Sequence, residues 1–515
     1  MRDVSNGRSG GWLRRGFMAL ALAMLAGCVA TPIATDRKLS GQEGAVVLKL
    51  VLNGMSPSDP TETLSSIVIR RERPAGEREV GGDVVTLVRT RAVTSSTAVF
   101  SGMVEPARYR FVHGSGVSGN TTYTFPIGSM LSGFEVKPGE VSLLGTLLVQ
   151  PIGGLRFVVG YQPPDAELKE TFEQLFPALA AQTRDKPFNT LEMTPEMQRR
   201  AEIAPRFKLM PSMMSGFAQA SDGGYYVGGR IGKVRWRAPG ESAWQRADLK
   251  TWREVLTLRP YRGGLLAGGE EGLLRHSADK GKTWTALTPP DRGLIHTLEL
   301  MPSGKLAALV QREDVWTVYA TDDAFAGAWR KLASFDNERS INVGWQLPIP
   351  LTVGRRIGLA MPNGSIRLVD TETGAVTQAS TGQSLVGVQA LPDGTLIAQS
   401  VVMVKTTLVS TDDGKTWTDL NTSRFVAAIA FRDRQTAFAV APIAPGVFPG
   451  EFGLMTSIDG GRTWKHSGSV PGGAGSLATL RELRIDRTDG SLLALLQSGT
   501  VMRSTDEGKS WSREL

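Results

Sequence analysis

The second half of this chain repeats one pattern, Ser-x-Asp-x-Gly-x-x-Trp, in four full copies. These residue types suit a tight turn between two strands, because Ser and Asp oxygens accept hydrogen bonds from the N–H groups of the turn and Gly takes a positive φ. The Trp then packs into the neighbouring layer. We call the four copies boxes 1 to 4 and predict that they are structural, neither catalytic nor metal-binding. Their residues are Ser277, Asp279, Gly281 and Trp284 in box 1; Ser410, Asp412, Gly414 and Trp417 in box 2; Ser457, Asp459, Gly461 and Trp464 in box 3; Ser504, Asp506, Gly508 and Trp511 in box 4.

The boxes recur with a period in the forties or a multiple of it. Trp244, Trp329 and residues 370–374 lie where degenerate copies are expected. A period of this length with several short strands per unit is typical of a β-propeller. Residues 207–515 hold seven such units, so we predict an all-β fold with a seven-bladed β-propeller. We expect a strand near 207–213 to complete the last blade and close the ring.

The pattern resembles the Asp-box, or bacterial neuraminidase repeat, found in sialidases, xyloglucan-type glycosidases, sortilin-like receptors and photosystem II assembly factors. The resemblance implies the fold but leaves function open. Sialidase chemistry, as the resemblance implies it, requires a Tyr–Glu nucleophile late in the propeller, yet all seven Tyr lie at or before Tyr319. The opening Arg-Ile-Pro strand of that family is also absent, since residues 230–232 read Arg-Ile-Gly. We therefore predict a non-catalytic protein without metal or cofactor; the alternative is a glycan-active or glycan-binding protein of sialidase-like ancestry, a glycoside hydrolase.

An uncharged apolar run, residues 17–26, precedes Cys28, the one cysteine of the chain. Arg residues lie before the run and small residues follow it, which is the layout of a secretory signal. The segment resembles a bacterial lipoprotein signal, with Sec and twin-arginine export both open. This resemblance implies removal of residues 1–27, a diacylglyceryl thioether on Cys28 and acylation of the new amino terminus. Because Val29 follows, a Gram-negative host is expected to sort the protein to its outer membrane.

Three segments separate the signal from the propeller. Residues 28–43 lack periodicity and are interpreted as a tether. Short β-rich runs at roughly ten-residue spacing across residues 44–161 predict a small antiparallel β-sandwich domain. Residues 162–206 are interpreted as a short helical connector, with Thr194 and Pro195 as the N-cap and first residue of its second helix. The apolar stripe of its first helix is expected to pack on a domain: Leu168, Phe172, Leu175, Phe176 and Leu179.

Basic residues concentrate in the first two predicted blades. The candidate binding patch consists of Arg230, Lys233, Arg235, Arg237 and Arg275. It would dock an acidic partner, a lipid head group or an anionic polymer. The alternative is a solvated outer face with local salt bridges.

The mature chain carries too little charge for a nucleic-acid partner. The formal net charge of +8 falls to +5 when residues 1–27, with four Arg and one Asp, are removed. Exported proteins seldom meet nucleic acid, so we expect none as a partner. We predict a lipid-anchored binding or assembly module of the cell envelope, attached to the membrane through its lipid and using the propeller to bind an envelope protein or an anionic polymer. Nothing in the sequence assigns an oligomeric state.

Overall fold

The described residues form two compact units, one drawn from the ranges 28–52 and 58–209 and the other from 53–57 and 210–515. Among the residues described, no helix has the length and apolar character needed to cross a membrane. The computed structural model describes residues 28–515 apart from positions 31–32, 55–63, 75, 78–80, 91–95, 119–120, 153–155, 211, 221, 339–347, 402–404, 421–427, 444–450, 472–479 and 497–498.

The first unit is built on one mixed, curled sheet of ten strands. Its order is β10-β9-β2-β5-β4-β3-β6-β7, with β1 beside β4 and β8 beside β6. The strands are β1 (Cys28–Val29), β2 (Gly44–Leu52), β3 (Leu64–Arg71), β4 (Val84–Arg89), β5 (Thr97–Val104), β6 (Ala107–Ser118), β7 (Thr121–Phe125), β8 (Phe134–Val136), β9 (Val141–Pro151) and β10 (Phe157–Gln162).

This sheet differs from the predicted antiparallel sandwich in its central pairing. Strands β2 and β9 are parallel neighbours, although the chain between them contributes six other strands. Every residue of β2 is buried, because one face of the strand packs into the core enclosed by the sheet and the other packs under helices. A strand covered on both faces reads as a continuous apolar run, which gives no sign of its neighbours.

Three helices complete the first unit: α1 (Ala166–Leu175), α2 (Pro177–Thr183) and α3 (Pro195–Ile203). The apolar stripe predicted for the connector packs on the sheet, where Phe172 and Leu179 join a core with Val47 and Leu143. The stripe spans two helices because Pro177 has no backbone N–H to continue α1. Thr194 caps α3 as predicted, its hydroxyl accepting a hydrogen bond from the backbone N–H of Met197 at 3.3 Å.

Residues 28–43 are packed on the first unit instead of forming a free tether. Cys28 and Val29 pair in parallel with β4, and Ala30, Ile33 and Leu39 are buried. The apolar side chains in this segment are too few to show periodicity; three of them are buried, whereas Ala34 is exposed.

The second unit confirms the predicted propeller, with seven sheets of four strands each. Blades 1 to 3 are β11–β14 (Met214–Gln219, Tyr225–Gly229, Lys233–Arg237, Gln245–Asp248), β15–β18 (Val255–Tyr261, Gly264–Gly269, Leu274–Ser277, Thr285–Ala286) and β19–β22 (Leu294–Leu300, Leu306–Arg312, Val315–Thr321, Arg330–Asp336). Blades 4 to 7 are β23–β26 (Ile349–Val353, Arg356–Ala360, Ser365–Asp370, Val376–Ser380), β27–β30 (Leu385–Ala390, Leu396–Val401, Lys405–Ser410, Thr418–Asp419), β31–β34 (Ala428–Phe431, Ala437–Pro442, Phe452–Ser457, Lys465–Gly468) and β35–β38 (Leu480–Ile485, Leu492–Leu496, Val501–Ser504, Ser512–Arg513).

Ring closure differs from the prediction. Residues 204–209 form a 3₁₀ turn of the first unit. Of the residues described between 207 and 213, none belongs to a strand of the last blade, which contains its own short fourth strand, β38. Apolar packing instead joins blade 7 to blade 1, with Leu493 and Leu495 against Tyr225 and Val227.

The alternating strand directions give the propeller two distinct ends. The connections between blades and the turns between second and third strands lie at one end, which we call the entry end because the first strand of each blade begins there. The turns between first and second strands and those between third and fourth strands lie at the opposite end. The boxes occupy the latter turns, so we call this the box end.

Candidate functional site

The Ser and Asp side chains of the boxes form hydrogen bonds within the turns that contain them. In box 1 the Ser277 hydroxyl donates to Asp279 at 2.8 Å and accepts from the Gly281 N–H at 2.7 Å. Asp279 also accepts from the backbone and the hydroxyl of Thr283, at 2.9 and 2.6 Å. Boxes 2 to 4 repeat these contacts. In each box, therefore, the Ser and Asp side chains stabilise the turn itself.

These bonds stabilise the ionised carboxylates of the boxes. The side-chain and backbone hydrogen bonds from Thr283 lower the pKa of Asp279 to about 2. Equivalent bonds lower the pKa of Asp412 and Asp506 to about 2, and that of Asp459 further. A carboxyl group that is never protonated near neutral pH cannot serve as a general acid there.

Two residues of the predicted patch, Arg230 and Lys233, are held by backbone carbonyl groups. Arg230 is only 3 % exposed, and its Nη1 donates to the carbonyl of Gly54 at 3.3 Å, a residue that clusters with the propeller. The ammonium group of Lys233 donates to the carbonyl of Met210. Both cations therefore contribute to internal packing.

Two further patch residues join neighbouring blades. The guanidinium of Arg275 in blade 2 donates to the carbonyl of Leu249, which follows the last strand of blade 1. Arg237 in blade 1 forms an ion pair with Glu514 of blade 7, with both side chains largely buried. The predicted patch thus does not form one exposed surface, because the strand face that bears these cations meets the adjacent blade.

Arg235 is the patch residue with other cations around it. It is half-buried and pairs in register with Arg246 on the neighbouring strand. Burial lowers the pKa of Arg235, and the charges of Arg246 and Arg513 lower it further. Arg246 and Arg513 are exposed. Of the predicted patch, only Arg235 thus belongs to a cluster of basic residues, together with Arg246 and Arg513.

The entry end of blades 1 and 2 contains a concentration of buried charge that sequence reasoning missed. Arg253 donates from Nε to the Glu271 carboxylate at 2.8 Å, with side chains 6 % and 3 % exposed. Glu254 accepts from the Ser215 hydroxyl, and its backbone N–H donates to Glu270 at 2.8 Å. The entry-end cluster comprises these four charged residues and the buried arginine of the adjoining turn: Arg230, Arg253, Glu254, Glu270 and Glu271.

Strained backbone accompanies the buried charges. The turns between second and third strands place Ile231 at φ 52°, ψ 41° in blade 1 and Glu271 at φ 53°, ψ 39° in blade 2. This left-handed region disfavours residues with a Cβ, above all β-branched ones such as Ile. In the sequence, these two turns share the motif of a charged residue, any residue and Gly, at residues 230–232 and 270–272. This repeated motif could have indicated the turns.

In the described part of the chain, the entry end of blades 1 and 2 contains paired charged side chains and does not resemble a metal site. Within the described ranges, no three His, Cys, Asp or Glu side chains converge as metal ligands would. In blade 3, His296 stacks on Trp316 and contacts Gln311 at 2.9 Å. Burial lowers the pKa of His296 to about 4, so the imidazole is neutral at pH 7. The arrangement holds charged and hydrogen-bonding groups in fixed positions at this end of the propeller.

Comparison with known proteins gives no family assignment. No protein-family model matches the sequence, and no curated protein matches it. Among solved structures, YCF48 bound to D1 peptide is similar to this chain at 15 % identity and a TM-score of 0.42, covering 56 % of this chain and 92 % of that one.

Two further solved structures show similar levels of likeness. YCF48 from Cyanidioschyzon merolae is 14 % identical with a TM-score of 0.40, over 56 % of this chain and 94 % of that one. The Cps50 (Swd1) β-propeller domain of Myceliophteria thermophila is 12 % identical with a TM-score of 0.40, over 58 % and 96 %. The class defined by the fold is a seven-bladed β-propeller with a separate N-terminal sheet unit.

Proposed function

We propose that this chain is a lipid-anchored protein of the bacterial cell envelope whose propeller binds a protein partner at the entry end. One observation carries the binding proposal: five buried charged residues and three left-handed non-glycine residues, Ile231, Lys250 and Glu271, coincide at the entry end of blades 1 and 2. Buried ion pairs and strained backbone each cost stability, and strained backbone clusters at functional sites. Their coincidence in three consecutive connections at this end favours a binding surface over packing alone.

The cluster favours binding over catalysis because its carboxylates are engaged. Glu271 is held by Arg253, Glu254 by Ser215, and Glu270 by a backbone N–H. Such pairing fixes the charges in place before a partner arrives, which lowers the entropy lost on association.

A glycan-active or glycan-binding protein is the second candidate. The observation that favours it is the presence of three glutamates at one end of the propeller, since glycoside hydrolysis uses paired carboxyl groups. A captured polysaccharide would support this candidate and a captured protein the first.

The anchor proposal rests on the signal-like segment before Cys28. Two or three acyl chains would hold the protein stably at a membrane. Metabolic labelling with palmitate should mark the wild-type protein and not Cys28→Ala, and the wild type should fractionate with the outer membrane of a Gram-negative host. Equal labelling of both proteins would place the acyl chain elsewhere.

The binding proposal is tested by capture from detergent-solubilised envelope with matched variants. Arg253→Gln with Glu271→Gln neutralises an ion pair at the entry end. Arg434→Gln with Asp393→Asn neutralises an exposed pair, 2.6 Å apart, at the box end.

We expect the wild type and the box-end variant to retain one discrete protein and the entry-end variant to lose it. Circular dichroism and the melting temperature must show that both variants are folded. If a folded entry-end variant captures the same protein as the wild type, the binding surface lies elsewhere.

A further inference from the structure

The residue proposed to carry the lipid is part of the first unit's sheet. Cys28 pairs in parallel with Val85, and the N–H of Ala30 donates to the carbonyl of Thr86 at 3.0 Å. Strand β5 leaves room for this segment because it has a glycine there. A Cβ added at Gly102 would fall 2.5 Å from the Cβ of Ala30. An acyl group on Cys28 would therefore be attached to the sheet without an intervening flexible segment.

Strand direction fixes where the chain enters the sheet. Because β1 is parallel to β4, Cys28, the first residue of β1, lies toward the end where β4 begins, near Asp83. Asp83 and Val85 are two positions apart, a span of about 7 Å at most in extended chain. Strand β6 also begins at this end, because it runs antiparallel to β3 as β4 does, and Arg108 is its second residue.

An arginine-lined cleft opens at the same end of the sheet. Arg73 donates to the buried carboxylate of Asp83 through two bonds, at 2.7 and 2.9 Å. Its guanidinium also lines an open cavity of about 350 Å³ together with Arg71 and Arg108. The cleft therefore adjoins the point at which the chain enters the sheet.

Arg71 is the guanidinium of the cleft that retains nitrogens for an anion. Arg108 donates from all three of its nitrogens to Glu72 and Glu192, and Arg73 is held by the two bonds to Asp83. Arg71 has one long ion pair, 3.3 Å to Glu105, whose side chain is 80 % exposed, and Arg73 pairs with the exposed Glu77 at 3.5 Å. Exposed pairs of this kind contribute little and exchange readily with other anions. Guanidinium groups present forked N–H donors that match the geometry of phosphate.

We propose that the edge of the first unit at Cys28 lies on the bilayer, with Arg71 contacting a lipid phosphate group. The inference rests on the proposed acylation of Cys28. Acyl chains in the hydrocarbon core hold the attached residue at the interface, where the head-group layer is roughly 5–7 Å deep on each side. With no tether, the adjoining cleft stays within reach of that layer.

Hydrogen–deuterium exchange on reconstituted protein tests the inference. Acylated wild type and Cys28→Ala are compared in the presence of vesicles of phosphatidylethanolamine and phosphatidylglycerol. Exchange at residues 71–77 and 107–110 should be severalfold slower in the acylated protein. Residues 112–116, nearer the opposite end of the same sheet, should exchange equally in both.

A charge variant separates phosphate contact from simple proximity. Arg71→Gln should lose part of the protection at residues 71–77, whereas Arg434→Gln, which alters an exposed ion-paired arginine of the propeller, should not. Equal exchange with and without the acyl group, in a wild type whose mass shows acylation, would overturn the inference and leave the anchor proposal standing. A wild type without acyl groups by mass would overturn the anchor proposal itself.

Discussion

Arg503 of blade 7 donates from Nη2 to the hydroxyl of Tyr225 in blade 1 at 2.7 Å. The same nitrogen donates to Asp486 at 2.6 Å, and the Tyr225 hydroxyl also donates to Asp486. On the other side, Arg237 lies over the Tyr225 ring, 4.9 Å from its centroid. The ring of blades is thus closed by side chains from opposite ends of the propeller sequence.

The first prediction concerns this closure. Arg503→Met should lower the free energy of unfolding by about 3–5 kcal/mol, because it leaves the buried carboxylate of Asp486 without its positively charged partner. Chemical denaturation measures the change. Arg434→Gln, which removes an exposed ion pair, should cost about 0–1 kcal/mol. Similar costs for the two variants would mean that the network does not hold the ring closed.

The second prediction concerns the glycine of box 4. A Cβ at Gly508 would overlap the side chain of Leu454 in blade 6, and Gly508 has a φ of 87°. Gly304 has a similar φ of 85°, but a Cβ there would meet nothing within 4 Å. Gly508→Ala should therefore cost about 1–3 kcal/mol more than Gly304→Ala, as overpacked substitutions do. Equal costs would show that φ alone requires the glycine.

The third prediction concerns pH. Hydrogen bonds lower the pKa of Asp279, Asp412 and Asp506 from 3.8 to about 2. A lowered pKa means that the boxes stabilise the fold above the unfolded-state value, and that this contribution is lost as the pH falls from about 4 through about 2. Urea midpoints at pH 5 and pH 3 should differ less in Asp412→Asn than in the wild type. An unchanged difference would contradict the role of Asp412.

The fourth prediction separates structural from docking roles in the predicted patch. Arg275→Glu should destabilise the propeller by about 1–3 kcal/mol, because the Leu249 carbonyl loses its donor and gains a carboxylate beside it. Arg292→Glu changes an exposed arginine and should leave the melting temperature nearly unchanged. A stable Arg275→Glu protein that loses its partner would restore the docking interpretation.

The blade count was predictable because it depends on a local pattern. Each box closes a turn with its own Ser, Asp and Gly, so the period of its Trp residues marks successive blades. The cap at Thr194 was predictable for the same reason, since it contacts Met197 three residues away.

The remaining features depend on residues that are far apart in the sequence. Ring closure joins Tyr225 to Arg503, and the first sheet pairs β2 with β9, so neither arrangement has a local sign. Strand alternation placed Lys233, Arg235 and Arg237 on one face, but the contact of Arg237 with Glu514 shows that this face meets a blade. The entry-end cluster was missed because it joins turns of two blades.

Photo-crosslinking in living cells tests the central claim most directly. A benzophenone amino acid at position 292 lies at the entry end, where Gly272 packs against Arg292 beside Glu271. Position 282 is also exposed but lies in box 1, at the opposite end. We predict one discrete crosslinked protein from position 292 and none from position 282. Crosslinks from position 282 alone, or equally from both positions, would contradict a partner bound at the entry end.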